Sequence, residues 1–454
     1  MRRPLSPLER WYWISDQISP LNVISHVRVR GHLSHERFGS GLDMLQQRHP
    51  LLRVAIEAGP GDEDPCFVPS PAPIPMRTVN VPSALETEGG AQPHWERQLN
   101  EVELVTPVDW RTGPLARAVV ISQTGSGDTD EDVHDLILTL PHCIADGTTV
   151  LTLIRQWVEL AAENTGRSGL TPGDGDRSRS EPERPAPEDM LPARYRGAAG
   201  TARTIRQFAR DQGALALLRP RRFEASQKVP FEDRRTRLIR RSLDTEQLEA
   251  LTSACRSRGA TVQGLLAAAM VASVAGDANS SGRITIGSPI DIRPDLVPPV
   301  SGREVGTYVA TVPSIVAYRP GDSLWPVARE ISTDLSKRRR RGDPISSINQ
   351  LRWAAPKTVA TSTRFLNFMD QKGPITFCLS NVGRFDFPDR IGDLHVSHAE
   401  FIAGLSVNGL FVATVNTSHA RLAWNFTYVD RMVPDDRAHR LVDGCLEAVE
   451  SAVK

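Results

Sequence analysis

The sequence predicts an α/β or α+β protein of two domains or two pseudo-duplicated halves. Three observations carry that expectation. Runs with strand-like alternation are interleaved with runs of helical periodicity in each half. The 454-residue length exceeds what one ordinary core serves. A Gly-, Pro-, Ser- and charge-dense stretch from about Thr165 to Pro192 has almost nothing to bury and separates the two patterned regions. The expected division is 1–175 for the first half, 176–235 for an arginine-rich linker or crossover, and 236–454 for the second half.

In the first half, "ISHVRVRGHL" alternates like a half-buried strand, and "SHERFGSGLDMLQQRHPLLRVAIE" reads as a helix running into a second strand. A Pro/Gly-rich loop from about Gly59 to Pro75 leads to a helical stretch near "HWERQLNEVELV". The strand "PLARAVVISQ" follows, joined by a Gly/Asp/Glu loop to "VHDLILTLPH". Residues 148–163 read as a helix with Leu151, Ile154, Val158 and Leu160 on its apolar face. In the second half, Asp244 or Thr245 caps a helix, and Thr261 opens one so apolar that it must be buried. "RITIGSPIDIRP" and "VGTYVATVPSIVAY" read as strands. After the helix tail "SKRRRRGD" come "PITFCLSNVGRFDFP", "LHVSHAEFIAG", "GLFVATVNTSHARLAWNFTYVD" and a last helix.

Composition narrows the function classes. Fifty-four basic residues balance 54 acidic ones, so no global field draws the chain to nucleic acid or an anionic membrane. Charged partners would be met by a local patch. The region from Arg194 to Arg241 carries a large arginine excess, read either as a solvated face or as a docking patch for an acidic carrier or a phosphate. Five single cysteines, no secretory pattern and no apolar window long enough to span a bilayer predict a soluble, cytoplasmic protein.

The chemistry concentrates at "LILTLPHCIADGTTVLTLIRQWVEL". A buried strand ends at a turn that delivers the chain into a helix, which places His142 at a strand end. An imidazole there can take the proton that a hydroxyl or amine loses on attacking an acyl group. Asp146 is expected to hold the loop by pairing with a distant arginine, rather than to form a dyad with His142. Gly147 is expected to permit the turn or a close approach to substrate. Cys143, adjacent to His142, points the other way along an extended chain and reads as core, not as a thiol nucleophile. A metal site combining His142 and Asp146 with His395, His398 or His419 has no second spaced pair to support it. Trp11 and Trp13 read as packing residues, with the lining of a channel as the alternative, and His49 reads as a helix-end residue.

"PHCIADG" resembles the H-H-x-x-x-D-G motif of the chloramphenicol acetyltransferase-like superfamily, which includes peptide-synthetase condensation domains and polyketide-associated acyltransferases. "LSPLERWYWI", "LQQRHPLLRVAI", "GATVQGLLAAAMVASVA", "PIDIRPDL", "VGTYVATVP" and "LSNVGRFD" resemble further segments of that superfamily, in order along nearly the whole chain. The resemblance implies two acetyltransferase-like halves meeting in a V, with a substrate tunnel between them. It further implies His142 as the base, Asp146 and Gly147 as structural residues, Arg293 as the partner of Asp146, and Asn381 and Gly383 in the tunnel wall. No bound cofactor is implied; the donor would be acyl-CoA or a phosphopantetheinyl acyl carrier protein.

Two departures from the family pattern refine the expectation. The first histidine of the double-histidine form is Pro141 here, as in the ester-forming and lipid-tailoring branches, and the plant D-F-G-W-G sequence is absent. The sequence therefore predicts a stand-alone acyltransferase that moves an acyl group from a thioester to a hydroxyl of a secondary-metabolite or lipid acceptor. The alternatives are amide formation, dehydration, epimerisation or cyclisation of a carrier-bound chain, or an inactive docking module.

Overall fold

The computed structural model describes residues 2–82, 93–123, 131–163, 180–405, 407 and 409–454. The expected Gly/Asp/Glu loop at 124–130, residues 164–179 of the Gly-, Pro- and Ser-dense stretch, and with them the expected boundary at residue 175, lie outside them.

Two six-stranded sheets organise the chain. The first runs in the order Arg390–Ile391, Leu394–Ala403, Asn22–Arg30, Val133–Pro141, Arg117–Gln123, Met76–Asn80. The second runs Val309–Tyr318, Gly282–Asp291, Phe377–Arg384, Phe411–Ser418, Arg421–Val429, Thr236–Leu243. A small third sheet joins Arg3–Pro4, Cys66–Pro69 and Val54–Glu57. The mixed α/β class read from the sequence is the observed one.

Helices cover these sheets for reasons visible in their residues. The helix Gly147–Glu163 buries Leu151, Ile154, Trp157 and Val158 in the first core, and the indole N–H of Trp157 donates to the Phe38 carbonyl at 2.8 Å. Val262–Asp277, apolar on nearly every face, is the central helix of the second core. Asp244 caps the helix Thr245–Ser257 through a reciprocal box with Gln247.

Chain order and sheet membership diverge at one place. Alternation identifies "LHVSHAEFIA" as a strand and its position assigns it to the second half, yet Leu394–Ala403 pairs antiparallel with Asn22–Arg30 of the first sheet. Side chains of the second sheet hold it from the other side. Thr414 donates to the Phe401 carbonyl at 2.8 Å, and the Asn416 amide donates to the Ala399 carbonyl at 2.8 Å. This strand is the seam between the sheets.

The described end of the expected linker is anchored. Glu188 accepts the Leu8 N–H at 2.7 Å, and Met190 and Leu191 pack with Leu8, Tyr195 and Ile292. The apolar tail "DML" has more to bury than the composition of the whole stretch suggests. Beyond it, many of the expected patch arginines are engaged within the fold: Arg234 bonds Asp370, Arg240 bonds Glu400, and Arg241 bonds Asp443.

Candidate active site

The strand Val133–Pro141 pairs with Asn22–Arg30 up to Asn22 opposite Pro141. Proline has no N–H to continue the ladder. The His142 N–H instead donates to the Leu21 carbonyl at 3.0 Å, and a turn closes from the Ile144 N–H to the Pro141 carbonyl. The helix then starts: Val150 N–H bonds the Asp146 carbonyl, and the Asp146 Oδ1 accepts the Thr149 N–H at 2.9 Å, the geometry of an N-cap.

The His142 ring is fixed on two sides. Its Nδ1 lies 2.7 Å from the Ala145 carbonyl oxygen. A carbonyl only accepts, so Nδ1 carries the proton and Nε2 carries the lone pair of the neutral imidazole. Tyr12 stacks on the ring with centroids 4.0 Å apart and planes 10° apart. Burial lowers the His142 pKa against smaller upward effects from the Asp146 charge and the Ala145 carbonyl, which favours the neutral, proton-accepting form.

Asp146 spends both oxygens away from His142. Arg293 donates from Nη2 to Oδ1 at 2.9 Å and to the Thr149 hydroxyl at 2.9 Å, while the Tyr308 N–H donates to Oδ2 at 2.8 Å. Burial alone would raise the Asp146 carboxyl; the Arg293 charge and these hydrogen bonds overcome it and hold the pKa below the ordinary carboxylate value. Arg293 is placed by its own N–H and Nη1, both donating to Asp291.

Gly147 is required by a neighbour, not by backbone freedom. Its φ is not in the left-handed region, but a Cβ there would stand 2.6 Å from the Phe401 ring. The close approach is therefore to the seam strand.

His142, Tyr12, Asp146 and Arg293 line a cavity of about 1440 Å³ whose wall also takes Ser288, Ala310 and Val412 from the second sheet. Asn381 is on this wall. Gly383 is not: it sits at φ +76° in a bulge of Phe377–Arg384 and donates its N–H to the Asn381 Oδ1 at 2.7 Å.

The remaining candidates separate. Cys143 is buried in the first core, and burial pushes its thiol well above the ordinary value. Cys378, which no motif marks, lines the cavity, but burial pushes it up to about 12, so it is no thiolate. Trp11 lines the cavity edge-on to Phe365, whereas Trp13 packs against Trp110. His49 ends the helix His35–Arg48 and meets Gln156 at 2.7 Å. His395 and His398 lie on the seam strand, and His419 pairs with Asp389.

Residues 232–411 match the family model described as the phthiocerol/phthiodiolone dimycocerosyl transferase C-terminus. A plipastatin synthase of Bacillus subtilis (strain 168) is 24% identical over 324 residues, 67% of this chain and 11% of that protein. The chain thus spans about a tenth of that relative's length. The first condensation domain of the calcium-dependent antibiotic synthetase superposes with a TM-score of 0.71 at 15% identity, covering 100% of this chain and 97% of that one. The SgcC5 protein from Streptomyces globisporus gives 0.67 at 18% identity, covering 99% and 98%. The chain thus has the fold of these condensation domains, and its residues 232–411 resemble the C-terminal part of an acyl transferase family.

Proposed function

We propose that the protein transfers an acyl group from a thioester, carried by coenzyme A or an acyl carrier protein, to a hydroxyl acceptor. The observation that carries this reading is the His142 ring, whose Nδ1–H is pinned to the Ala145 carbonyl so that the basic nitrogen is Nε2, beside a cavity shared by both sheets.

In this reading, Nε2 takes the hydroxyl proton as the acceptor oxygen attacks the thioester carbonyl carbon. The resulting oxyanion is met by N–H donors near Gly147 and by the amide of Asn381, which Gly383 orients. Collapse breaks the carbon–sulfur bond, and the leaving sulfur recovers the proton from Nε2. Arg293 and Asp146 hold the turn and do not exchange protons with substrate.

Purified protein and His142→Ala would be given acyl-CoA and acyl carrier thioesters, with and without a pool of alcohols and amines, following free thiol and product mass. Acceptor-dependent thiol release, with a mass gain equal to the acyl group and lost in the variant, supports the reading. A His142→Ala protein that turns over normally overturns it. A changed carrier-bound chain without thiol release replaces it with dehydration, epimerisation or cyclisation.

A further inference from the structure

The helix Gly197–Leu218 is built the wrong way round for a core helix. Its buried residues, Gly200, Thr204 and Gln207, are small or polar. They attach it through hydrogen bonds: the Gln207 amide donates to Ser347 at 3.0 Å, the Asn349 amide donates to Thr204 at 3.1 Å, and Arg338 donates to Asp211 at 3.0 Å.

Its apolar residues face outward. At about 100° per residue, Ile205, Phe208, Ala209 and Ala216 fall on one side of the helix; Arg203, Arg206, Arg210 and Leu217 fall on the next, where Arg210 also pairs with Asp343 at 3.4 Å. Ile205 is 53% exposed and Leu217 is 81% exposed. The only acidic side chain on the helix, Asp211, is already paired with Arg338.

This face is continuous with the cavity. Phe208 and Leu215 line it, as does Phe368 from the helix Val359–Lys372, and Phe208 and Phe368 are also about half exposed. Side chains that both line a cavity and meet solvent mark its mouth.

We propose that the Gly197–Leu218 helix, with Phe368, docks the mouth of the cavity onto an anionic lipid surface. Protruding apolar side chains beside a basic stripe fit the headgroup boundary, where the apolar groups enter and the guanidinium groups meet phosphate. The charge balance of the whole chain makes this stripe a local feature. An acceptor or acyl chain dissolved in the bilayer then reaches the cavity without crossing water. The inference goes beyond acyl transfer and stands without it, because binding needs no turnover.

The test is flotation of the full chain with vesicles of phosphatidylcholine alone and of equal parts phosphatidylcholine and phosphatidylglycerol. The wild type is expected to float with the anionic vesicles and far less with the neutral ones. The exposed pairs Ile205→Asp/Leu217→Asp and Arg203→Glu/Arg206→Glu are each expected to lower partitioning about tenfold or more. Their circular dichroism and melting are expected to match the wild type, which separates lost docking from lost folding. A wild type that floats with neither vesicle overturns the proposal, as do folded variants that bind as well as the wild type. Capture of a purified acidic carrier protein, sensitive to Arg203→Glu/Arg206→Glu and without flotation, overturns it in favour of a protein partner.

Discussion

Arg293 reaches across 147 positions of sequence to place Nη2 2.9 Å from the Asp146 Oδ1, and both side chains are buried. The pair ties the first turn of the Gly147–Glu163 helix to the segment after the Gly282–Asp291 strand. Both residues line the cavity. Asp146→Ala removes the counter-charge of a buried guanidinium together with the acceptor of the Thr149 and Tyr308 amides. It should destabilise the fold by about 3–5 kcal/mol, measured by urea unfolding. The depressed carboxyl pKa gives the sign with pH. The Asp146 contribution is present above the unfolded carboxylate value and lost as pH falls through the folded one.

The pH profile of the reaction tests His142 directly. Only the neutral ring can accept a proton, and burial lowers its pKa from the ordinary value of 6.5. The acid limb of kcat/KM should therefore bend below that value, leaving the rate flat through neutrality. His142→Ala should lower kcat/KM on the order of 10²–10⁴-fold at neutral pH and remove the limb.

In the proposed reaction, Tyr12 would position the His142 imidazole through its stacked ring. Tyr12→Ala removes the stacked face and frees the imidazole to tilt, which should lower kcat by up to about 10²-fold with little change in KM. Tyr12→Phe keeps the stack and should restore the rate. Equal losses in both variants would move the role from the ring to the hydroxyl.

Gly147→Ala places a methyl group against the buried Phe401 ring. The helix start itself would welcome alanine, but the steric conflict should cost about 1–3 kcal/mol and displace either the turn or the seam strand. Phe401→Leu should relieve part of that loss, a coupling that a double-mutant cycle reads out.

His26 sits between two carboxylates, with Nε2 2.9 Å from Asp135 and Nδ1 3.0 Å from Glu400, while Arg240 of the second sheet also pairs with Glu400 at 2.7 Å. Burial would lower its pKa, but the hydrogen bonds and charges of both carboxylates raise it. The folded state thus holds this proton more tightly than the unfolded chain. Its stabilisation is complete below the unfolded value of about 6.5 and is lost as pH rises through the folded one. His26→Leu should cost about 3 kcal/mol at pH 6, with a smaller penalty at alkaline pH, measured by chemical denaturation across pH.

The strand, turn and helix around His142 are legible because a buried apolar run, a proline and a helical pattern lie side by side in sequence. The motif resemblance points to Arg293, because no local pattern links it to Asp146. Tyr12 is hidden in "RWYWIS", where three aromatics of one helix point in three directions. Trp11 reaches the cavity and Trp13 the core because a two-residue step on a helix turns by about 200°. In "NVISHVRVR", alternation reads His26 as facing solvent. The strand is covered on that side as well: Trp95 stacks on His26 at 3.9 Å, and Glu400 lies directly opposite it on the seam strand. The outward apolar face of Gly197–Leu218 is likewise invisible in sequence, since periodicity marks which residues share a face and not what that face meets.

The late strand Leu394–Ala403 also constrains how the protein emerges during synthesis. Until residue 403 has been made, Asn22–Arg30 is an edge with a row of unpaired backbone groups, and His26 lacks one of its two carboxylates. The amino-terminal sheet therefore waits on nearly nine-tenths of the chain before it closes. A nascent chain cut before residue 394 would present an open, apolar-flanked template for pairing with its neighbours, so the first half expressed alone is a candidate for aggregation rather than a minimal catalytic unit.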